Sequence, residues 1–202
     1  GDGIHYEPRW FKPWPGGKHI LWKHDGKTYP LGDLLFEIGG LRVGFEICED
    51  AWVPGRPGPE LAAQGVDIIL NPSASHFAFA KHEVRKQIVL DASRTFGATY
   101  VYTNLIGNEA GRVIYDGEAL IASAGKLLAE GPRFGFDDVY LTTAVIDIDH
   151  VRMSHSRTTF TPAVDDSLRA VVRSEAQLPV AEFQNPPPSQ ATTSSTVGTR
   201  RR

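Results

Sequence analysis

One cysteine occurs in 202 residues, at the end of a strand-like run and directly ahead of two acids. Cys48 follows Leu41-Arg42-Val43-Gly44-Phe45-Glu46-Ile47, and Glu49, Asp50 and Trp52 come just after it. A thiol at the end of a strand, at the mouth of a sheet, stands where a nucleophile meets substrate. Free cysteine is also among the most buried residue types, so a packing role is the competing reading. Only the thiolate attacks, and a thiol with a pKa of about 8.5 is mostly protonated at neutral pH. A cation or base must therefore lie close by. Glu49 and Asp50 push the other way, because like charge disfavours the thiolate. Their side chains are expected to point away or to be paired.

Other residue types narrow the chemistry. A Cys–His hydrolase needs an imidazole beside Cys48. Of the seven histidines, His76 and His82 are the best placed in sequence, but nothing in the sequence orients either. No histidine pair has the spacing of a helical zinc motif, and one cysteine excludes a Cys-rich metal centre, so no metal site is expected. A single thiol forms no internal disulfide, which fits a reducing compartment and a cytoplasmic location. Lys and Arg number 21 against 24 acids, a net charge of −3, which gives no electrostatic case for nucleic acid or an anionic membrane. No apolar run reaches the roughly 18 residues of a membrane span, and the opening Gly1-Asp2-Gly3-Ile4-His5-Tyr6-Glu7 does not read as a signal peptide.

The elements that must position Cys48 follow from periodicity. Residues 1–32, with Trp10, Trp14 and Trp22, show no clean period and read as an ordered loop with aromatic anchors. Residues 34–38 and 41–47 form a hairpin across Gly39-Gly40. Proline forbids regular structure over residues 54–59, and residues 60–64 make a short helix closed by Gly65. Residues 66–70 are a buried strand ended by Asn71-Pro72-Ser73. Residues 81–96 are the clearest helix, with Val84, Ile88 and Ala92 beside Val89 and Phe96 on one face and Gly97 as C-cap. Residues 99–103 are the next strand, so the middle of the chain predicts helices packed on a sheet. Short strands at 112–115, 119–124 and 126–130 are separated by Asp116-Gly117 and Gly125. Residues 139–148 read as a longer strand, and Asp149 as the cap of a short helix through Met153. The domain is expected over residues 1–164. Residues 165–202 read as a tail, since residues 184–202 lack the apolar surface that offsets ordering entropy.

Several motifs recur in a fixed order: Tyr6-Glu7-Pro8-Arg9-Trp10-Phe11-Lys12-Pro13-Trp14, Gly44-Phe45-Glu46-Ile47-Cys48-Glu49-Asp50-Ala51-Trp52, Asn71-Pro72-Ser73-Ala74-Ser75, Asn104-Leu105-Ile106-Gly107 and Tyr115-Asp116-Gly117. This set resembles the nitrilase (carbon–nitrogen hydrolase) superfamily, and the Arg-Trp-Phe-x-Pro-Trp segment is most like the glutaminase domains of glutamine-dependent NAD synthetases. The resemblance implies an α/β fold, a four-layer α-β-β-α sandwich. It implies amide hydrolysis by a Glu–Lys–Cys triad, with Cys48 as the nucleophile that forms a glutamyl thioester and releases ammonia. It further implies that Glu7 supports the catalytic lysine, and that Ser75 and Lys81 contact the amino-acid end of glutamine. The backbone N–H of Glu49 is placed to bind the oxyanion. Lys12 falls at the variable position of its motif and reads as a solvated loop lysine. Arg85 either pairs with an acid near the site or decorates the surface, and the former use is taken as structural.

The family places its lysine about ten residues before the Tyr-Glu segment and its first glutamate further upstream, so the chain is expected to be N-terminally incomplete. Its partners would be glutamine, an NAD synthetase domain and further copies of itself, as family members form oligomers. No cofactor is expected for the glutaminase step; ATP and Mg would belong to the synthetase domain. A free-standing amidase on a small amide, and a catalytically silent assembly module, are the alternatives. Without the lysine and glutamate the thiol lacks its proton acceptor, so the 202-residue chain alone is expected to release little ammonia from glutamine. An ammonia assay tests this: robust release that Cys48→Ala abolishes would contradict it.

Overall fold

The computed structural model describes residue 12 and residues 14–109, 113–157 and 169–180. Its centre is a seven-stranded mixed sheet in the order β10-β9-β6-β5-β4-β3-β11. The strands are β3 (Leu34–Ile38), β4 (Leu41–Phe45), β5 (Ile68–Ser73), β6 (Thr99–Asn104), β9 (Ala119–Ser123), β10 (Lys126–Glu130) and β11 (Ala170–Ser174). The chain reverses between β3 and β4 through Gly39 and Gly40, at φ 56° and 78°, a left-handed pair that glycine adopts without cost. β4, β5 and β6 run parallel, so each connection must cross over. The first crossover carries α1 (Gly58–Ala63) and the second α2 (Lys81–Thr95). β9 and β10 then extend the sheet antiparallel from β6.

The core sits between the sheet and these helices. Leu35, Ile69, Tyr100, Tyr102, Leu120 and Ala122 from the strands meet Leu61 of α1, and Val89, Ala92 and Phe96 of α2 and its end. The α2 face differs from the hydropathy pattern: Arg85, Val89, Ala92 and Ser93 are buried, whereas Val84 is 46% exposed. Hydropathy cannot rank a guanidinium as a core group, yet the helix is turned so that Arg85 points inward.

Three further expectations are corrected. Residues 19–32 are not a loop: β1 (His19–His24) and β2 (Lys27–Gly32) form an antiparallel hairpin across Asp25-Gly26, both in the left-handed region. Every residue of β1 is exposed, so no buried face imprinted a period on the sequence, and Trp22 stacks on His24 instead. Residues 139–147 form no strand, although their burial alternates residue by residue. Alternation assigns two faces, but a strand also needs a neighbour to complete its hydrogen bonds. Within the expected tail, Ala170–Ser174 is β11, parallel to β3. Arg169, 6% exposed, fastens it through Asp33 and Glu60.

The remaining elements are β7 (Ile106–Glu109), β8 (Val113–Asp116) and α3 (Ile148–Arg157). Asp147, rather than Asp149, accepts the N–H of His150 at the start of α3. Arg152 then ties α3 to Asp67 at the amino end of β5. No helix among the described residues is long and apolar enough to cross a membrane.

Gly58 opens α1 where a side chain has no room. A Cβ there would lie 2.2 Å from the Phe96 ring and 2.8 Å from Glu46 Oε1. Gly58→Ala is expected to destabilise the fold by about 1–3 kcal/mol, as overpacking does, read as a lower urea midpoint.

Candidate functional site

The carboxyl ends of β4, β5 and β6 point the same way, the usual place for a ligand in a parallel sheet. After β4 the chain passes through Glu46 and Ile47 into a 3-10 helix, Cys48–Trp52. Cys48 opens that helix with φ 50°, a backbone conformation that non-glycine residues rarely adopt and that clusters at functional sites. Its side chain is half-buried.

What holds Cys48 is the residue two before it. Glu46 is fully buried and accepts hydrogen bonds from Arg56, from the Gly58 N–H at 2.6 Å and from the Tyr100 hydroxyl at 2.7 Å. Tyr100 in turn accepts from Asn71 Nδ2 at 2.8 Å. Burial, reinforced by the Glu46 charge, pushes the Tyr100 phenol well above its ordinary pKa, so it stays a donor. Glu46 thus links β4, α1, β5 and β6 immediately behind the thiol.

The acids after Cys48 are disposed as the thiolate requires. Asp50 folds back to accept the Ile47 N–H at 2.8 Å, and Glu49 is exposed. The Glu49 N–H belongs to the first turn of the helix, where backbone donors have no acceptor within the helix.

The cation is Lys81, first residue of α2, entered through Ala80 at φ 62°. Its ammonium donates to the His76 carbonyl at 3.1 Å and lies 5.7 Å from the centre of the Trp52 ring. Burial and then Arg85 lower the Lys81 pKa, while the Cys48 and Asp116 charges act to raise it. Lysine and thiol are therefore close enough to sense each other's charge, and the attraction favours the thiolate.

Ser75 is buried, its N–H donates to Asn104 Oδ1 at 2.8 Å, and its carbonyl accepts from Asn104 Nδ2 and from Arg85. Arg85 is the pivot of this side of the site. One of its nitrogens meets both Asp116 oxygens at 2.9 Å and Glu118 at 3.5 Å, and the other reaches Ser75 and His76. Burial opposes ionisation of Asp116, but hydrogen bonds from Arg133 and Arg85 outweigh it and hold its pKa below the usual value. Glu118, at φ 95°, also bonds His82 Nδ1, so an acid does orient one of the two histidines that the sequence left free. His82, Glu118 and Glu130 offer ligand atoms within 4.8 Å of one another and could hold a metal ion. Arg85 and Lys86 already neutralise these carboxylates, which favours a charge network there.

Of the residues singled out in the sequence, the structure brings Cys48 and Lys81 together and fixes Ser75 on the Arg85 side. Glu7 and Trp10 lie outside the described residues. Lys12 is exposed. Glu46, Arg56, Asn71, Tyr100, Asn104, Asp116 and Glu118 were missed. The available signal was a polar residue embedded in a strand-like apolar run, as Glu46 is between Phe45 and Ile47.

The sequence profile of carbon–nitrogen hydrolases matches residues 2–155. The chain belongs to that family. The carbon–nitrogen hydrolase domain is an enzyme domain, and its relatives refine the comparison. Glutamine-dependent NAD(+) synthetases of Mus musculus and Saccharomyces cerevisiae are 36% and 32% identical over 162 and 188 residues, covering 75% and 89% of this chain. The chain spans about a quarter of those relatives' length, 22% and 26%. The crystal structure of a glutamine-dependent NAD(+) synthetase from Cytophaga hutchinsonii superposes with a TM-score of 0.63 at 44% identity, over 71% of this chain and 23% of that one. A carbon–nitrogen hydrolase from Helicobacter pylori shares the fold, with a TM-score of 0.53 at 17% identity over 66% of this chain and 56% of its own.

Arg85→Met leaves Asp116 and Glu118 buried without their shared cation. Unfolding in urea is expected to show a loss of about 3–5 kcal/mol, the usual effect of breaking a buried pair from one side. Lys86→Ala, which removes a more exposed partner of Glu130, is expected to change stability by less than about 1 kcal/mol.

Proposed function

We propose that Cys48 is the nucleophile of a glutaminase, an amide hydrolase acting on the side-chain amide of glutamine, and that the ammonia it releases serves NAD synthesis. The single observation that carries this reading is the meeting of a strained, half-buried thiol and a partly desolvated lysine at the carboxyl ends of the parallel strands. The family of the domain and the glutamine-dependent relatives support glutamine as the substrate.

The Cys48 thiolate attacks the amide carbon, and the carbonyl oxygen becomes an oxyanion that accepts the Glu49 N–H. The carbon–nitrogen bond then breaks, the nitrogen takes a proton and leaves as ammonia, and a glutamyl thioester remains. Water adds to the thioester, releasing glutamate and returning the thiol. Lys81 favours the thiolate beforehand and attracts the α-carboxylate through a charge-assisted hydrogen bond, with Ser75 beside it. Glu7 supports proton transfer as its motif implies. On this reading the ammonia passes to an NAD synthetase part that uses ATP and Mg, the assembly is a homo-oligomer, and the work is done in the cytoplasm.

Cys48 is the sole thiol, so its alkylation by iodoacetamide can be followed by mass. The rate at neutral pH should exceed that of a free thiol, and glutamine should slow it. Lys81→Met should lower the rate and weaken the protection. Alkylation no faster than that of a free thiol, with no protection by glutamine, would falsify the reading. Protection by a short aliphatic amide but not by glutamine would favour a small-amide amidase instead.

A further inference from the structure

Tyr102 is 4% exposed, and its hydroxyl is buried without a hydrogen-bond partner among the described residues. The neighbouring layer of the same structure makes this informative. Glu46 on β4's extension, Asn71 on β5 and Tyr100 on β6 meet through their side chains, and the Tyr100 hydroxyl is fully engaged by Glu46, Asn71 and Arg56. Tyr102 lies one repeat of the strand period further along β6, paired in register with Asn71, while Cys48 and Ser73 lie two residues beyond Glu46 and Asn71 toward the carboxyl ends. Here no carboxylate among the described residues accepts from the phenol, and Glu118 acts on it only through its charge. The Ser73 hydroxyl is spent on Asn71 at 2.6 Å, and although it favours the ionised phenol it stands outside hydrogen-bond geometry with Tyr102.

Burial is the first cause that pushes the Tyr102 phenol up to about 12, and the Cys48 charge acts in the same direction, so the two groups sense each other. The group therefore stays an O–H donor throughout the neutral range. A buried donor left unsatisfied is costly, and its persistence beside a reactive thiol points to an acceptor that arrives with the ligand.

We propose that Tyr102 is a substrate-binding residue whose phenol O–H donates to the carboxamide oxygen of the amide attacked by Cys48. This rests on Cys48 acting on an amide, though not on that amide being glutamine. The carboxamide oxygen gives the Tyr102 phenol the acceptor that Glu46 gives Tyr100, and the donor tells a carboxamide from a thiol-reactive group that lacks one.

Tyr102→Phe keeps the ring and removes only the unpaired hydroxyl, so the full chain should fold with an unchanged or higher melting temperature. Cys48 is then alkylated with iodoacetamide, which carries a carboxamide, and separately with methyl methanethiosulfonate, which does not. The expected result is a rate with iodoacetamide lowered about twofold to tenfold, the worth of one hydrogen bond, and an unchanged rate with the thiosulfonate. Equal rates for both proteins with both reagents would overturn the proposal. So would a parallel fall with both reagents, which would mean that Tyr102 acts on the thiol or the fold. Glutamine protection of the wild-type thiol is a separate readout: its loss sinks the glutaminase reading and leaves the reagent ratio to decide Tyr102.

Discussion

Arg85 reaches from α2 to Asp116 at the end of β8, to Glu118 before β9 and to the carbonyls of Ser75 and His76. A guanidinium this deeply buried is tolerated only if its charge is met, and the bonds of its two terminal nitrogens, with Nε left unpaired among the described residues, set the relative positions of four segments. It fixes the rotation of α2, which in turn places Lys81 at the helix start beside Trp52 and Cys48. It also anchors the loop from Ser75, whose other side Asn104 holds from β6. Lys81 would have no defined relation to the thiol if the helix were free to bury its apolar row instead.

The Glu46 cluster does the corresponding work on the cysteine side. Its carboxylate gathers a backbone N–H, a guanidinium and a phenol, so the backbone entering the 3-10 helix is held from three directions. That support sustains the left-handed Cys48, since a strained residue persists only where its surroundings over-determine it. Site and scaffold are thus two buried polar clusters flanking one half-buried thiol, with apolar packing below them.

How far the sequence disclosed this depends on the residue. The strands at residues 34–38, 41–45 and 99–104 were legible because a buried apolar run bounded by glycine or asparagine has few other solutions. The β1–β2 hairpin was not, because an arm exposed along its length carries no inside-outside pattern, although Asp25-Gly26 was a turn signal. Residues 139–147 carry a strand pattern without a pairing partner among the described residues, since hydrogen bonding is a property of two segments. Cys48 and Lys81 could be named from their motifs. Arg85 was visible only as an ambiguous charge, and Glu46, Tyr100 and Asn71 were not singled out at all.

By itself the sequence determined that a lone thiol ends a strand among motifs of an amide-hydrolysing family, and that strands and helices alternate around it. Those are local facts, written in residue types and in spacings of a few positions. Only the tertiary structure decided which charges meet: that Asp50 turns to the backbone, that Lys81 comes to the thiol, and that Arg85 is core rather than surface. Each of these joins residues far apart along the chain or depends on which way a helix is turned. The energy of a charge depends on its burial and its partners, and neither exists until the segments have packed.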